Sequence, residues 1–112
     1  MSRETQKISV VMCTYNGAQY LDEQLDSICT QTYPNIEIIV VDDCSTDDTF
    51  EILKNHQSKD PRIQIFQNSE NIGFVQNFSK AIALATGAYI ALTDQDDIWK
   101  PYKLERFANE IQ

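Results

Sequence analysis

A chain of 112 residues is long enough for one domain and too short for two. Its 42% hydrophobic content is ordinary for a soluble core. Seventeen acids against nine bases leave a net charge of −8, which speaks against a sequence-independent grip on nucleic acid and against attraction to an acidic membrane face, since both need a basic surface.

Residues 8–13, ISVVMC, are short, β-branched and apolar, the pattern of a buried strand. A helix is predicted over residues 17–30, where Leu21, Leu25 and Ile28 recur at i, i+4 and i+7. Tyr33, Pro34 and Asn35 form a turn. Residues 36–41 are the clearest strand and end abruptly on Asp42 and Asp43. Ser45 or Thr46 is expected to cap the next helix, Asp47 and Asp48 suit its positive end, and it runs to about residue 56 with His56 at the surface. After a break at Lys59, Asp60 and Pro61, a third strand spans 63–66 and a turn-rich loop spans 68–73. A third helix covers residues 74–85, with Phe74, Phe78, Ile82 and Ala85 on one face and Gly87 at its C-terminal cap. Residues 88–93 form a fourth strand that also runs into acids, and a last helix starts near Pro101 with Leu104 and Phe107 on one side.

Apolar strands alternating with helices imply an α/β fold: a Rossmann-like, mainly parallel sheet with helices on both faces. In such sheets ligands bind beyond the carboxyl ends of the strands. Tyr15, Asp42, Asp43, Asp94 and Asp96 all fall at that edge.

Two acidic groups stand out: Asp42, Asp43, Asp47 and Asp48, and then Asp94, Asp96 and Asp97. In an extended segment residues two apart point the same way, so Asp94 and Asp96 can face one small volume. Two carboxylates there repel unless a cation or proton intervenes. A hard divalent ion, Mg²⁺ or Mn²⁺, answers that need and would share its coordination with phosphate oxygens. The competing reading is an acidic turn with Asp97 as a helix cap. Asp42 and Asp43 suit acceptors for a base N–H or a ribose hydroxyl, and Asp43 is expected to need no buried partner from the core. The competing reading there is a plain capping segment, a role left to Ser45, Thr46, Asp47 and Asp48. Tyr15 can stack on a nucleobase or simply pack. Trp99 reads as a hydrophobic anchor, Cys29 as helix packing, and Lys54, Lys59 and Arg62 as surface charges. No glycine-rich phosphate loop of either common type is present.

Taken in order, ISVVMCTYNGAQYLDEQLDSICTQTYPNIEIIVVDDCSTDDT and NIGFVQNFSKAIALATGAYIALTDQDDIWKPYKLE resemble the inverting family 2 glycosyltransferases of the GT-A fold over nearly the whole chain. The resemblance implies a nucleoside-diphosphate-sugar donor (a UDP- or dTDP-sugar), a divalent metal, Mn²⁺ or Mg²⁺, and a glycan or lipid-linked acceptor in bacterial surface-polysaccharide synthesis. The DQDDIW segment is similar to bacterial members that transfer rhamnose or other such sugars. By the same resemblance Thr14, Tyr15, Asp42 and Asp43 hold the nucleoside, and Asp94 and Asp96 fall on the family's Asp-x-Asp, touching ribose and metal-diphosphate. Asn71, Gly73 and Asn77 match the segment beside the donor. Cys44 stands where glycine is more common, and Gln76 where a basic residue is. The family's general base lies in its second half, so it is expected beyond Gln112, and the chain is read as the N-terminal, donor-binding part of the domain.

Two other classes compete. A nucleotidyltransferase needs a basic glycine-rich loop after the first strand, which residues 14–20 lack. A phospho-receiver module puts its acid pair after the first strand, which here ends in Thr14, Tyr15 and Asn16. Three cysteines, Cys13, Cys29 and Cys44, fit no zinc or redox spacing, residues 2–7 are polar, and no apolar run approaches the ~20 residues of a membrane span. A cytoplasmic location, or the cytoplasmic face of the membrane for a longer protein, is expected.

Overall fold

The computed structural model describes residues 6–94 and 97–110. Strands and helices alternate: β1 (Ile8–Thr14), α1 (Ala18–Cys29), β2 (Ile36–Asp42), α2 (Thr49–Lys59), β3 (Ile63–Gln67), α3 (Phe74–Leu84), β4 (Tyr89–Thr93) and α4 (Lys103–Glu110). The strands form one parallel sheet in the order β3-β2-β1-β4. The direction of strand addition therefore reverses between β1 and β4, and a reversal of this kind opens a crevice at the carboxyl edge.

The pleat divides the core in two. Ile8, Val10 and Met12 of β1 and Ile38 and Val40 of β2 pack under Leu21, Leu25 and Ile28 of α1, Leu53 of α2, and Leu104 and Ala108 of α4. Val11, Ile39 and Val41 turn to the other face, against Ala81, Phe78 and Leu84 of α3. Burial of each such aliphatic chain contributes roughly 1.5–3 kcal/mol. Cover on both faces is why the two central strands read as unbroken apolar runs.

Several local expectations are corrected by tertiary contacts. Ser45 and Thr46 do not cap α2: it starts at Thr49, whose backbone N–H and hydroxyl donate to Asp47 Oδ1. Asp47 Oδ2 also accepts from Ala18 N, so this acid serves the amino ends of α1 and α2 together. His56 is not a surface residue: it is 8% exposed, and its Nε2 lies 2.7 Å from Asp22 Oδ1 of α1. Gly87 does not cap α3, which ends at Leu84. A Cβ at Gly87 would lie 2.7 Å from Lys7 O and from Ser9 Oγ, so the absent side chain lets β4 approach β1. Arg62 is more than a surface charge, because its guanidinium bonds Asp60, Pro34 O and Cys29 O. Trp99 is the anchor expected, buried, with Nε1 donating to Asp97 Oδ2 and its backbone N–H to Ser27 Oγ. That bond, rather than a helix cap, is the role of Asp97; α4 begins six residues later.

Candidate nucleotide site

The loops after β1 and β2 interlock. Asn16 adopts φ +51°, a left-handed conformation asparagine tolerates better than most residues. Its side-chain Oδ1 accepts from Thr46 N, and its backbone N–H donates to Ser45 Oγ. Cys44 adopts φ +63°, a left-handed conformation that only glycine enters without a steric cost.

The two aspartates at the end of β2 are placed differently. Asp42 is 0% exposed. Its Oδ1 accepts from Thr14 Oγ1 and Ser45 Oγ, and its Oδ2 from Ser45 N and the Gln67 side chain. A carboxylate has about four lone-pair sites, and here all are taken. Asp42 ties the ends of β1, β2 and β3 together and does not line a cavity.

Asp43 is 4% exposed, and the expectation that it needs no buried partner is wrong. Its Oδ1 accepts from Asn68 Nδ2 (2.9 Å) and Ile72 N (2.8 Å), and its Oδ2 from Gly73 N (3.0 Å). Burial pushes its carboxyl upward, but those bonds and the nearby Lys80 ammonium outweigh it and hold the group below its ordinary value. Asp43 is therefore ionised at neutral pH. It also clamps the 68–73 loop, where Gly73 takes φ +90° and ψ 160°, a conformation essentially restricted to glycine. Among the described residues Oδ2 carries one bond, so the carboxylate keeps an acceptor site for a ligand donor.

Asp43 shares a cavity of about 290 Å³ with Cys13, Thr14, Tyr15, Asn71, Gly73, Phe74, Asn77 and Phe78. Of the sequence-predicted residues it gathers Thr14, Tyr15, Asp43, Asn71, Gly73 and Asn77. Tyr15 is 46% exposed, leaving a ring face for stacking. Asn77 is buried, and its amide donates to Val41 O. Burial, reinforced by the Asp43 charge, pushes the Cys13 thiol up to about 12. Cys13 is thus a neutral wall of the cavity and no nucleophile.

Asp94 lies in an adjoining cleft with Phe74, Val75, Phe78, Ser79, Ile82 and Leu92; the two hollows share Phe74 and Phe78. Its backbone carbonyl is pinned by Gln24 Nε2 of α1 at 2.6 Å. Asp96 lies outside the described residues. Among the described residues no cluster of three or more His, Cys, Asp or Glu can hold a metal by itself. Asp94 offers one hard oxygen donor, which fits an ion such as Mg²⁺ that takes one or two carboxylates and completes its shell with phosphate and water. A larger cleft, about 460 Å³, runs along Ile98, Tyr102, Lys103 and Arg106 and includes none of these strand-end residues.

Sequence reasoning missed three residues here. Asn68 donates to both Asp43 and Asn77, Lys80 Nζ donates to Asn68 Oδ1 at 2.6 Å, and Gln24 braces Thr93 and Asp94. Asn68 directly follows β3, so the rule that drew attention to the ends of β2 and β4 would have found it. Lys80 and Gln24 sit mid-helix and carry no such signal.

Comparison with known proteins places this geometry. The family model described as Glycosyl transferase family 2 matches residues 9–112. The chain is 40% identical over 99 residues to the putative teichuronic acid biosynthesis glycosyltransferase TuaG of Bacillus subtilis, covering 88% of this chain and 39% of TuaG. It superposes with a TM-score of 0.87 and 33% identity on S. aureus TarS 1-349 in complex with UDP, covering 94% of this chain and 32% of that one. A mannosyltransferase from Pyrobaculum calidifontis in complex with GDP-Man and Mn²⁺ gives 0.82 and 30% identity, covering 96% and 32%. The parallel sheet with helices on both faces is the GT-A arrangement of these structures. The chain spans well under half the length of the curated relatives it matches.

Proposed function

The chain belongs to glycosyl transferase family 2, and we propose that it carries the donor side of an enzyme that moves a sugar from a nucleoside diphosphate to an acceptor hydroxyl. Membership in that family removes the nucleotidyl-transfer and receiver readings. The observation that carries the proposal is the cavity joining Tyr15, Asp43 and Asn77 at the carboxyl ends of β1 and β2, next to the cleft that holds Asp94. The Tyr15 ring suits a nucleobase, and the remaining Asp43 acceptor site suits a base N–H or a ribose hydroxyl. Thr14 acts one step back, by fixing Asp42.

Asp94 and Asp96 would hold a divalent ion, Mn²⁺ or Mg²⁺, which when bound neutralises charge on the departing diphosphate. The donor is a UDP- or dTDP-sugar on this reading. Support comes from the UDP bound by TarS, while the GDP-Man of the mannosyltransferase widens the set of bases worth testing. The acceptor is a glycan or lipid-linked hydroxyl in surface-polysaccharide synthesis, a reading supported by the teichuronic acid assignment of TuaG. The base that deprotonates that hydroxyl lies outside these 112 residues, and the enzyme works in the cytoplasm or at its membrane face. No helix among the described residues is long and apolar enough to cross a membrane.

The test is thermal unfolding with UDP, dTDP, GDP and ADP, each with Mn²⁺ and with EDTA. A nucleotide held at 100 times its dissociation constant adds about 2.7 kcal/mol, a shift of several degrees in a domain this size. One nucleoside diphosphate is expected to stabilise the chain, and more strongly with Mn²⁺. No shift with any of the four would sink the reading.

A further inference from the structure

Asn68 lies between two cavity-lining groups without lining the cavity itself. Its Nδ2 donates to Asp43 Oδ1 at 2.9 Å and to Asn77 Oδ1 at 2.8 Å. Both hydrogens of the amide are then spent, and its Oδ1 accepts from Lys80 Nζ at 2.6 Å. Asn68 is buried, so an amide turned the other way would set its oxygen against the Asp43 carboxylate and against Asn77 Oδ1. The ammonium on the far side favours the same orientation, from the oxygen end of the amide. Asp43 in turn holds Ile72 N and Gly73 N, so the setting of this one amide reaches the wall of the cavity.

We propose that Lys80 and Asn68 form a positioning relay for the nucleoside: Lys80 orients the Asn68 amide, and Asn68 holds Asp43 and Asn77 at the spacing a bound nucleoside meets. The proposal rests on the cavity being the nucleoside site. Neither residue touches the ligand. Lys80 acts through Asn68, and Asn68 sets the direction of two groups that do, as supporting residues around rigid sites commonly do. Among the described residues, Cys13 of β1, Tyr15 in the same cavity and Lys80 of α3 are titratable groups near Asp43. Against burial, the hydrogen bonds from Ile72 N, Asn68 Nδ2 and Gly73 N hold the Asp43 carboxyl below its ordinary value, and the Lys80 charge adds to them.

The test compares the 112-residue chain with its K80M and K80R variants, using UDP and GDP with Mn²⁺ as probes in calorimetry. K80M is expected to weaken binding roughly 3–10-fold, the scale of one hydrogen bond, while K80R restores it. Without any nucleotide, the carboxyl carbon of Asp43 followed by NMR is expected to titrate at higher pH in K80M and to return in K80R. The Ile72 and Gly73 amide signals should move with it. A lysine acting by charge alone would shift that titration yet leave the Asn68 side-chain amide signals in place, whereas the relay moves them too. Unchanged affinity together with an unchanged Asp43 titration in K80M would overturn the relay. Asn68 side-chain amide signals and an Asp43 titration that both move in K80M, with neither nucleotide bound by the unaltered chain, would uphold the relay and overturn the functional reading.

Discussion

Two buried carboxylates on the α3 side of the sheet sit at its opposite ends. Glu37, near the start of β2, is 6% exposed and bonds Ser9 Oγ, Thr86 N and Oγ1, and the Gln64 side chain, with Lys7 Nζ at 3.6 Å. Asp43, just past the end of β2, is 4% exposed and bonds one side chain and two backbone N–H groups of the 68–73 loop. Burial and charge are alike at the two ends. What differs is what stands in front. Glu37 is closed over by Lys7, Thr86 and Gln64, and joins β1 and β2 to the segment before β4. Asp43 keeps an acceptor site on a cavity. Helices of a parallel sheet return the chain to the amino edge, where short links close, and leave loops free at the carboxyl edge. A buried acid therefore marks a candidate site only when the edge it occupies is known.

The largest effect is expected at the closed end. Glu37→Ala strands donors from Ser9, Thr86 and Gln64 and removes the ion-pair partner of Lys7, which keeps its bond to Thr86 Oγ1, a loss of about 3–5 kcal/mol from the stranded buried donors. Urea unfolding measures it. Nucleotide affinity of the folded fraction should be unchanged, and a matching loss of affinity would break the distinction between the ends. Acid sharpens the same contrast. Burial raises the Glu37 carboxyl, but the bonds from Ser9 and Thr86 and the Lys7 charge overcome it and bring the group from 4.5 to about 2. The folded value is depressed, so this stabilisation is complete above about 4.5 and lost as pH falls toward 2. Asp60 behaves alike, held at about 2 chiefly by Arg62. Glu37→Gln should flatten the fall in stability across that window, and a steepness equal to that of the unaltered chain would show the acid transition to arise elsewhere.

Asp43→Asn should cost less stability, about 1.5–3 kcal/mol, because one oxygen remains to accept from the loop. It should also weaken nucleoside-diphosphate binding by an order of magnitude or more. Calorimetry beside urea unfolding separates the two losses, and unaltered affinity would make Asp43 as purely structural as Glu37. The smallest change is expected at Cys44, at φ +63° between the interlocked loops. Glycine removes the steric cost but adds chain entropy to the unfolded state, so Cys44→Gly should shift stability by less than about 1 kcal/mol, while Cys44→Val, β-branched, should lose about 1–2 kcal/mol. Equal stabilities of the two variants would show that the loop relaxes out of that conformation.

The order of strands and helices, the parallel sheet covered on both faces and the importance of the carboxyl edge were all legible in the residues themselves. The apolar runs at 8–13 and 36–41 and the helical spacing of Leu21, Leu25 and Ile28 are local patterns, repeated by the backbone geometry they imply. The division of labour between Asp42 and Asp43 was not legible. They are adjacent, identical in chemistry and both ionisable, and only the pleat sends one toward Thr14 and Ser45 and the other toward the 68–73 loop. The same holds for His56 beside Asp22, for Gly87 against Lys7 and Ser9, and for Asn68 reached by Lys80. Each pairs residues far apart along the chain, whose meeting depends on how helices pack across the sheet. Hydrophobic periodicity reports the face a residue takes on its own element, whereas a polar side chain's role depends on its partner, and the partner is supplied by tertiary structure.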